Sequence, residues 1–305
     1  MTSLRQGTIH LWRFAGIDLY LHWTWFLVAA YEISGRAKSY PSLIWNVLEY
    51  LALFLIVMLH ESGHALACRQ VGGTADRIVL WPLGGVAYVN PPARPGATLW
   101  SIAAGPLVNV ALLILLSMFG IMSRSAGWNA AMPNAMALLR ALWFINLALL
   151  VFNLLPIYPL DGGQILRSLL WYVLGRARSL MAATVIGFLG VAGLILLAVW
   201  ARAAWFAILS AFILLNCWGG LRQAQALARL AKLPRREGFA CPSCKAAPPA
   251  GGFWRCSRCR EPFDTFQTQA VCPHCGAQFA VTKCLDCGAV NPLSEWRASA
   301  LVQSR

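Results

Sequence analysis

Residues Ile44–Val71 form an almost unbroken apolar run, and inside it stand two histidines and a glutamate, His60, Glu61 and His64. A run of that length reads as a helix crossing a bilayer, which needs about 20 apolar residues. Ionisable side chains at such depth are costly and are kept for chemistry. The H-E-x-x-H spacing puts both imidazoles on one helical face, one turn apart, where they can share a metal ion. Glu61 then lies beside the open coordination position, suited to taking a proton from an activated water. His60 lies about 24 Å along the helix from Ile44 at 1.5 Å per residue, so the cluster sits toward the helix's C-terminal end.

The rest of the composition agrees with a membrane setting. Of the 305 residues, 59% are hydrophobic and 12% charged, about half the ~25% charge of a soluble domain. Four further segments are long and apolar enough to span: Ala97–Met122, Met136–Tyr158, Met181–Trp200 and Ala203–Leu221. A shorter one, Ile17–Ile33, carries Asp18 and His22, and with no small-residue cleavage site after it we count it as a span rather than a signal peptide. The expectation is an all-α polytopic fold of six transmembrane helices, with both termini on one side. One set of connections holds Arg5, Arg13, Arg69, Arg77, Arg94, Arg176 and Arg178, followed by Arg222, Arg229, Lys232, Arg235 and Arg236. The other holds only Arg36, Lys38, Arg124 and Arg202. The positive-inside rule makes the richer set cytoplasmic, so the chain is expected in the cell membrane with both termini inside. The net charge of +14 then needs no nucleic acid to explain it.

Two other stretches bear on the metal. The segment Arg77–Asn90 reads as two β-prone runs around Gly84-Gly85, either a small β hairpin or re-entrant element or an apolar loop on the membrane surface. The fourth span ends in NLLPIYPLDGG, where Pro156, Pro159 and the Gly162-Gly163 pair break the helix and let Asp161 turn toward a neighbour. Asp161 enters from the same side as the histidines and supplies the third ligand that an open zinc site requires.

HESGH, the AGPLVN segment at Ala104–Asn109 and NLLPIYPLDGG at Asn153–Gly163 together resemble the signature of the site-2 proteases. The WPLGG-type loop at Trp81–Gly85 further resembles their bacterial sporulation-factor-processing branch. The resemblance covers roughly residues 5–222 and implies intramembrane proteolysis, with His60, His64 and Asp161 as zinc ligands and Glu61 as general base. By the same resemblance, Asn153 helps to polarise the scissile carbonyl, and Trp81–Asn90 pairs with an unwound substrate as an added strand. The chain departs from that branch in lacking a nucleotide-binding CBS pair after the membrane core.

In its place the tail carries four C-x-x-C knuckles: Cys241/Cys244, Cys256/Cys259, Cys272/Cys275 and Cys284/Cys287, separated by eleven, twelve and eight residues. Two knuckles close a tetrahedral four-sulfur zinc site, and sequential pairing makes two structural sites, a double zinc ribbon. A disulfide framework does not suit a cytoplasmic tail. So short a segment needs the metal to fold.

The expected domains are residues 1–221 as a six-span metalloprotease core, 222–240 as a basic juxtamembrane linker, 241–290 as the double ribbon and 291–305 as a tail. The expected cofactors are one catalytic zinc and two structural ones. The expected partners are a transmembrane protein substrate, the lipid bilayer and a ligand of the ribbons, protein favoured over nucleic acid. The competing reading is a non-catalytic membrane scaffold that recruits protein or nucleic acid through the ribbons.

Overall fold

The computed structural model describes residues 7–35, 40–81, 84–202 and 204–296. Arg5, Arg36, Lys38, Pro82 and Leu83 of the WPLGG turn, and residues 297–305 of the tail lie outside the described residues.

The chain opens with a hairpin. Strands β1 (Thr8–Phe14) and β2 (Ile17–His22) pair antiparallel across the Ala15-Gly16 turn. Helix α1 (Thr24–Gly35) follows, then α2 (Leu43–Gln70). Strands β3 (Thr74–Trp81) and β4 (Gly84–Asn90) form an antiparallel hairpin, so the two β-prone runs around Gly84-Gly85 are strands. Because β2 also pairs parallel with β3, all four strands make one sheet in the order β1-β2-β3-β4. Helices α3 (Pro95–Ser125), α4 (Trp128–Ala131), α5 (Pro133–Leu154), α6 (Asp161–Ala201) and α7 (Ala204–Ala231) complete the membrane part.

Among the described residues, five helices are long and apolar enough to cross a membrane: α2, α3, α5, α6 and α7. The reading of Ile17–Ile33 as one helix is corrected: its first six residues are strand β2 and all but Trp23 of the rest falls in the 12-residue α1. At about 18 Å, α1 is shorter than the roughly 30 Å hydrocarbon core. The reason lies in the alternation of β2, which turns Ile17, Leu19 and the partly buried Leu21 to one face. Period-two burial needs a strand partner, and β3 provides it through the register Asp18↔Arg77 to Leu21↔Leu80. Average hydropathy over a window cannot register that pairing.

The sheet packs along α2. Ile17, Leu19, Ala75, Ile78 and Leu80 close a core with Val57, Ala65 and Cys68 of the helix. Arg69, in the last turn of α2, ties the two together: its guanidinium donates to the carbonyls of Ala15, Gly16 and Ala75.

The fourth expected span also ends early. Helix α5 stops at Leu154 and α6 starts at Asp161, because Pro156 and Pro159 supply no N–H and Leu155 takes the extended conformation that a following proline imposes. Helix α6 then bends at Gly175, whose φ of 77° only glycine adopts readily inside a helical run.

Beyond α7, two small hairpins hold the knuckles: β5 (Trp254–Arg255) with β6 (Pro262–Phe263), and β7 (Val281–Lys283) with β8 (Val290–Pro292). Sequential pairing of the knuckles is corrected. Cys241 and Cys244 meet Cys284 and Cys287, whereas Cys256 and Cys259 meet Cys272 and Cys275, so one cluster is nested inside the other. An aromatic core decides this. Phe266 packs edge-on against Phe239, Trp254 and Trp296, and the Trp254 indole donates to the Lys283 carbonyl at 2.9 Å, which draws the outer pairs together around the inner ones.

Candidate metal centre

The break after α5 brings Asp161 onto the face of α2 that carries the two histidines. His60 Nε2 and His64 Nε2 lie 3.0 and 3.3 Å from Asp161 Oδ2, and 3.1 Å from each other. Three donors at the corners of a tetrahedron with ~2.05 Å bonds would be about 3.3 Å apart, so the spacing suits a zinc ion. Asp161 Oδ2 is buried and makes no hydrogen bond, despite two nitrogens within reach. Three metal-donor atoms 3.0–3.3 Å apart, one of them a buried carboxylate oxygen with no hydrogen bond, are the arrangement of a ligand set.

The other ring nitrogens set the tautomers. His64 Nδ1 lies 2.9 Å from the Ser101 carbonyl, which can only accept, so Nδ1 carries the proton and Nε2 a lone pair. His60 Nδ1 lies 2.6 Å from Asn109 Oδ1. That amide is oriented in turn, since Asn109 Nδ2 donates to Asn146 Oδ1 and Asn146 Nδ2 returns a bond to the Asn109 carbonyl. Ser101, Asn109 and Asn146 are all fully buried. Outer partners of this kind hold ligating imidazoles in place.

Glu61 is 7% exposed and reaches the sheet, where Oε2 accepts the Ala87 N–H of β4 at 3.1 Å. Two glycines make room around the cluster. A Cβ on Gly105 would collide with the His64 imidazole and lie 2.8 Å from His60 Nε2, and one on Gly85 would lie 2.6 Å from Glu61 Oε1. The centre thus packs directly on the backbone of α3 on one side and β4 on the other.

The structure brings His60, Glu61, His64 and Asp161 together as expected. Asn153 sits half-buried in the last turn of α5 and makes no side-chain hydrogen bond among the described residues. Sequence reasoning named Asn109 only as the end of the AGPLVN segment and passed over Ser101 and Asn146. The available signal was a buried-polar one, asparagines on two otherwise apolar spans.

The knuckle clusters have the same quality. Sulfur–sulfur distances are 3.8 Å in the outer cluster and 3.6 Å in the inner one. A tetrahedral zinc with ~2.3 Å bonds holds its sulfurs about 3.8 Å apart, far beyond a disulfide. The backbone N–H groups of Cys259 and Arg258 aim at Cys256 and hold its thiol below the usual range.

Comparison with known proteins agrees with this geometry. The model of peptidase family M50 matches residues 49–135 and 117–197, a stretch that includes all four residues of the centre. A solved site-2 protease from Methanocaldococcus jannaschii superposes with a TM-score of 0.52 at 29% identity, covering 70% of this chain and 95% of that one. The chain belongs to peptidase family M50. Among M50 relatives, a zinc metalloprotease of Methanocaldococcus jannaschii is 37% identical over 180 residues, 59% of this chain and 50% of its own length. Stage IV sporulation protein FB of Bacillus subtilis is 30% identical over 157 residues, 49% of this chain and 46% of that protein. The chain thus spans about half the length of these curated relatives. The M50 match ends at Lys-poor α6, well short of the cysteine clusters.

Proposed function

We propose that this chain is an intramembrane zinc metalloendopeptidase, which hydrolyses a peptide bond in or near a transmembrane segment of a membrane-protein substrate. The observation that carries the reading is the convergence of His60 Nε2, His64 Nε2 and Asp161 Oδ2 on one buried point, with the Glu61 carboxylate on the next residue of the same helix.

In this reading His60, His64 and Asp161 hold the catalytic zinc, which when bound polarises the scissile carbonyl and acidifies a water. Glu61 takes that proton on its carboxylate and passes it to the leaving amine. Asn109 and the Ser101 carbonyl keep both Nε2 lone pairs aimed inward. Asn153 is assigned to polarising the carbonyl, from the last turn of the helix that leads into the Asp161 break. Strand β4 is the outer strand of its sheet on the side of the centre, and Ala87 offers its N–H there. An unwound substrate segment adding to that edge would lie alongside Glu61.

We also propose six crossings. Tyr50 donates to the Trp25 carbonyl near the start of α2, while Arg69 near its end holds Gly16. The pair β2 plus α1 therefore runs along α2. Its length, about 20 Å of strand and 18 Å of helix, nearly matches the ~42 Å of α2. Helix α5 continued by the start of α6 makes another crossing, the remainder of α6 the next, and α7 the last. That places both termini on one side, with Arg13, Arg69, Arg94, Arg176 and Arg178 toward the cytoplasm of a cell membrane. Residues 1–221 then form the protease core, 222–240 a linker, 241–290 a two-zinc ribbon unit and 291–305 a tail. The ribbons are assigned a recruitment role, with a protein partner.

The test is cleavage of tagged single-span membrane proteins by the wild type and by Glu61→Gln in the same detergent. Cleavage lost with metal retained supports the protease. Equal cleavage by both removes Glu61 from the mechanism.

A further inference from the structure

Pro156 and Pro159 bracket Ile157 and Tyr158, two large side chains in the helix break just ahead of Asp161. The metal centre depends on that turn. Its two imidazoles are held by the Ser101 carbonyl and the Asn109 amide, whereas Asp161 Oδ2 accepts no hydrogen bond. Asp161 is the first residue of α6, so its carboxylate is placed by the backbone that delivers it. The turn folds back on the start of that helix: a Cβ on Gly162 would collide with the Leu154 carbonyl, and one on Gly163 with the Tyr158 nitrogen.

Helix α7 holds the turn from the other side. The fully buried Cys217 thiol donates to the Tyr158 carbonyl at 3.0 Å. Gly220 lies three positions on, on the same helical face, and there the Tyr158 ring rests: a Cβ on Gly220 would stand 2.7 Å from its Cε1. Helix α6 closes the seat. A Cβ on Gly187 would lie 2.9 Å from the Tyr158 carbonyl oxygen, and one on Gly190 2.5 Å from Ile157 Cγ1. Ile157 and Tyr158 pack against the buried cluster that includes Val191, Ile213 and Cys217. A carbonyl at a helix break inside a membrane needs a donor from the protein, and the thiol is one.

We propose that Cys217 and Gly220 are positioning residues for the third metal ligand: α7 seats Tyr158, and Tyr158 sets the backbone from which Asp161 reaches His60 and His64. The inference rests on the reading of these three residues as a zinc site. A thiol is a weak donor, so its contribution is to direction more than to stability.

The experiment measures zinc held by the full chain in detergent, by competition with a chromogenic chelator. The component absent from His60→Ala identifies the core ion. In Cys217→Ala that ion should be held roughly tenfold more weakly, with the ribbon ions and the melting temperature of the zinc-free protein little changed. Cys217→Ser keeps a donor and should recover most of the wild-type affinity. Gly220→Ala, whose methyl takes the place of the ring edge, should weaken the core ion as Cys217→Ala does. Wild-type affinity in either alanine variant overturns the proposal. Equal loss with serine and alanine at position 217 overturns it too, since packing alone would then explain the effect. A wild type that matches His60→Ala, with no core component, overturns instead the metal-site reading on which the inference rests.

Discussion

The Asn109 side-chain oxygen lies 2.6 Å from His60 Nδ1, and the two residues are 49 positions apart on different helices. The contact fixes which ring nitrogen of His60 carries the proton, and so leaves Nε2 free to ligate. Asn109→Ala removes that acceptor in a fully buried place. Zinc affinity is expected to fall about 10–100-fold, read by competition with a chromogenic chelator. Unchanged affinity would show that His60 is oriented by packing alone.

In the proposed mechanism Glu61 has a separate role from its neighbours on α2. Glu61→Gln keeps the shape and the Ala87 hydrogen bond but cannot take a proton. Cleavage should drop by about 10²–10⁴-fold, with one zinc still bound to a core deleted of residues 237–305. Loss of that zinc would instead make Glu61 a part of the ligand set.

Gly105 should separate stability from function. Alanine at a helix interior is favoured over glycine by up to about 1 kcal/mol, yet here the added methyl would occupy the space of the His64 imidazole. Gly105→Ala is expected to retain the melting temperature of the zinc-free protein and to lose core zinc and cleavage. Normal zinc content would mean that α3 can move away from α2.

The nested cysteine clusters predict a labelling pattern. In Cys241→Ser, alkylation followed by mass spectrometry should find Cys244, Cys284 and Cys287 newly reactive, while Cys256, Cys259, Cys272 and Cys275 stay protected. Sequential pairing would instead expose Cys256 and Cys259 first. About two zinc ions per ribbon unit should fall to about one.

Much of the centre was legible in the chain because its signals are local. The spacing from His60 to His64 is one helical turn, and Pro156 and Pro159 end a helix wherever they occur. Asp161 was foreseeable for the same reason, as a carboxylate placed just after an enforced break. Asn109 and Ser101 were not, since nothing near them in sequence says that α3 packs its Gly105 face against α2. The conformation of the first expected span was misread on similar grounds: Ile17–His22 is apolar enough for a helix, and only pairing with β3, more than fifty residues later, makes it a strand.

What the sequence determined by itself is therefore the membrane setting, the candidate metal ligands and the presence of four thiol knuckles. Each follows from spacing along one segment or from transfer of apolar side chains out of water. Tertiary structure alone decided the sheet laid along α2, the buried amides that orient the imidazoles, and which knuckles meet. Those depend on contacts between distant segments, where the free energy belongs to the packed pair and to neither segment alone.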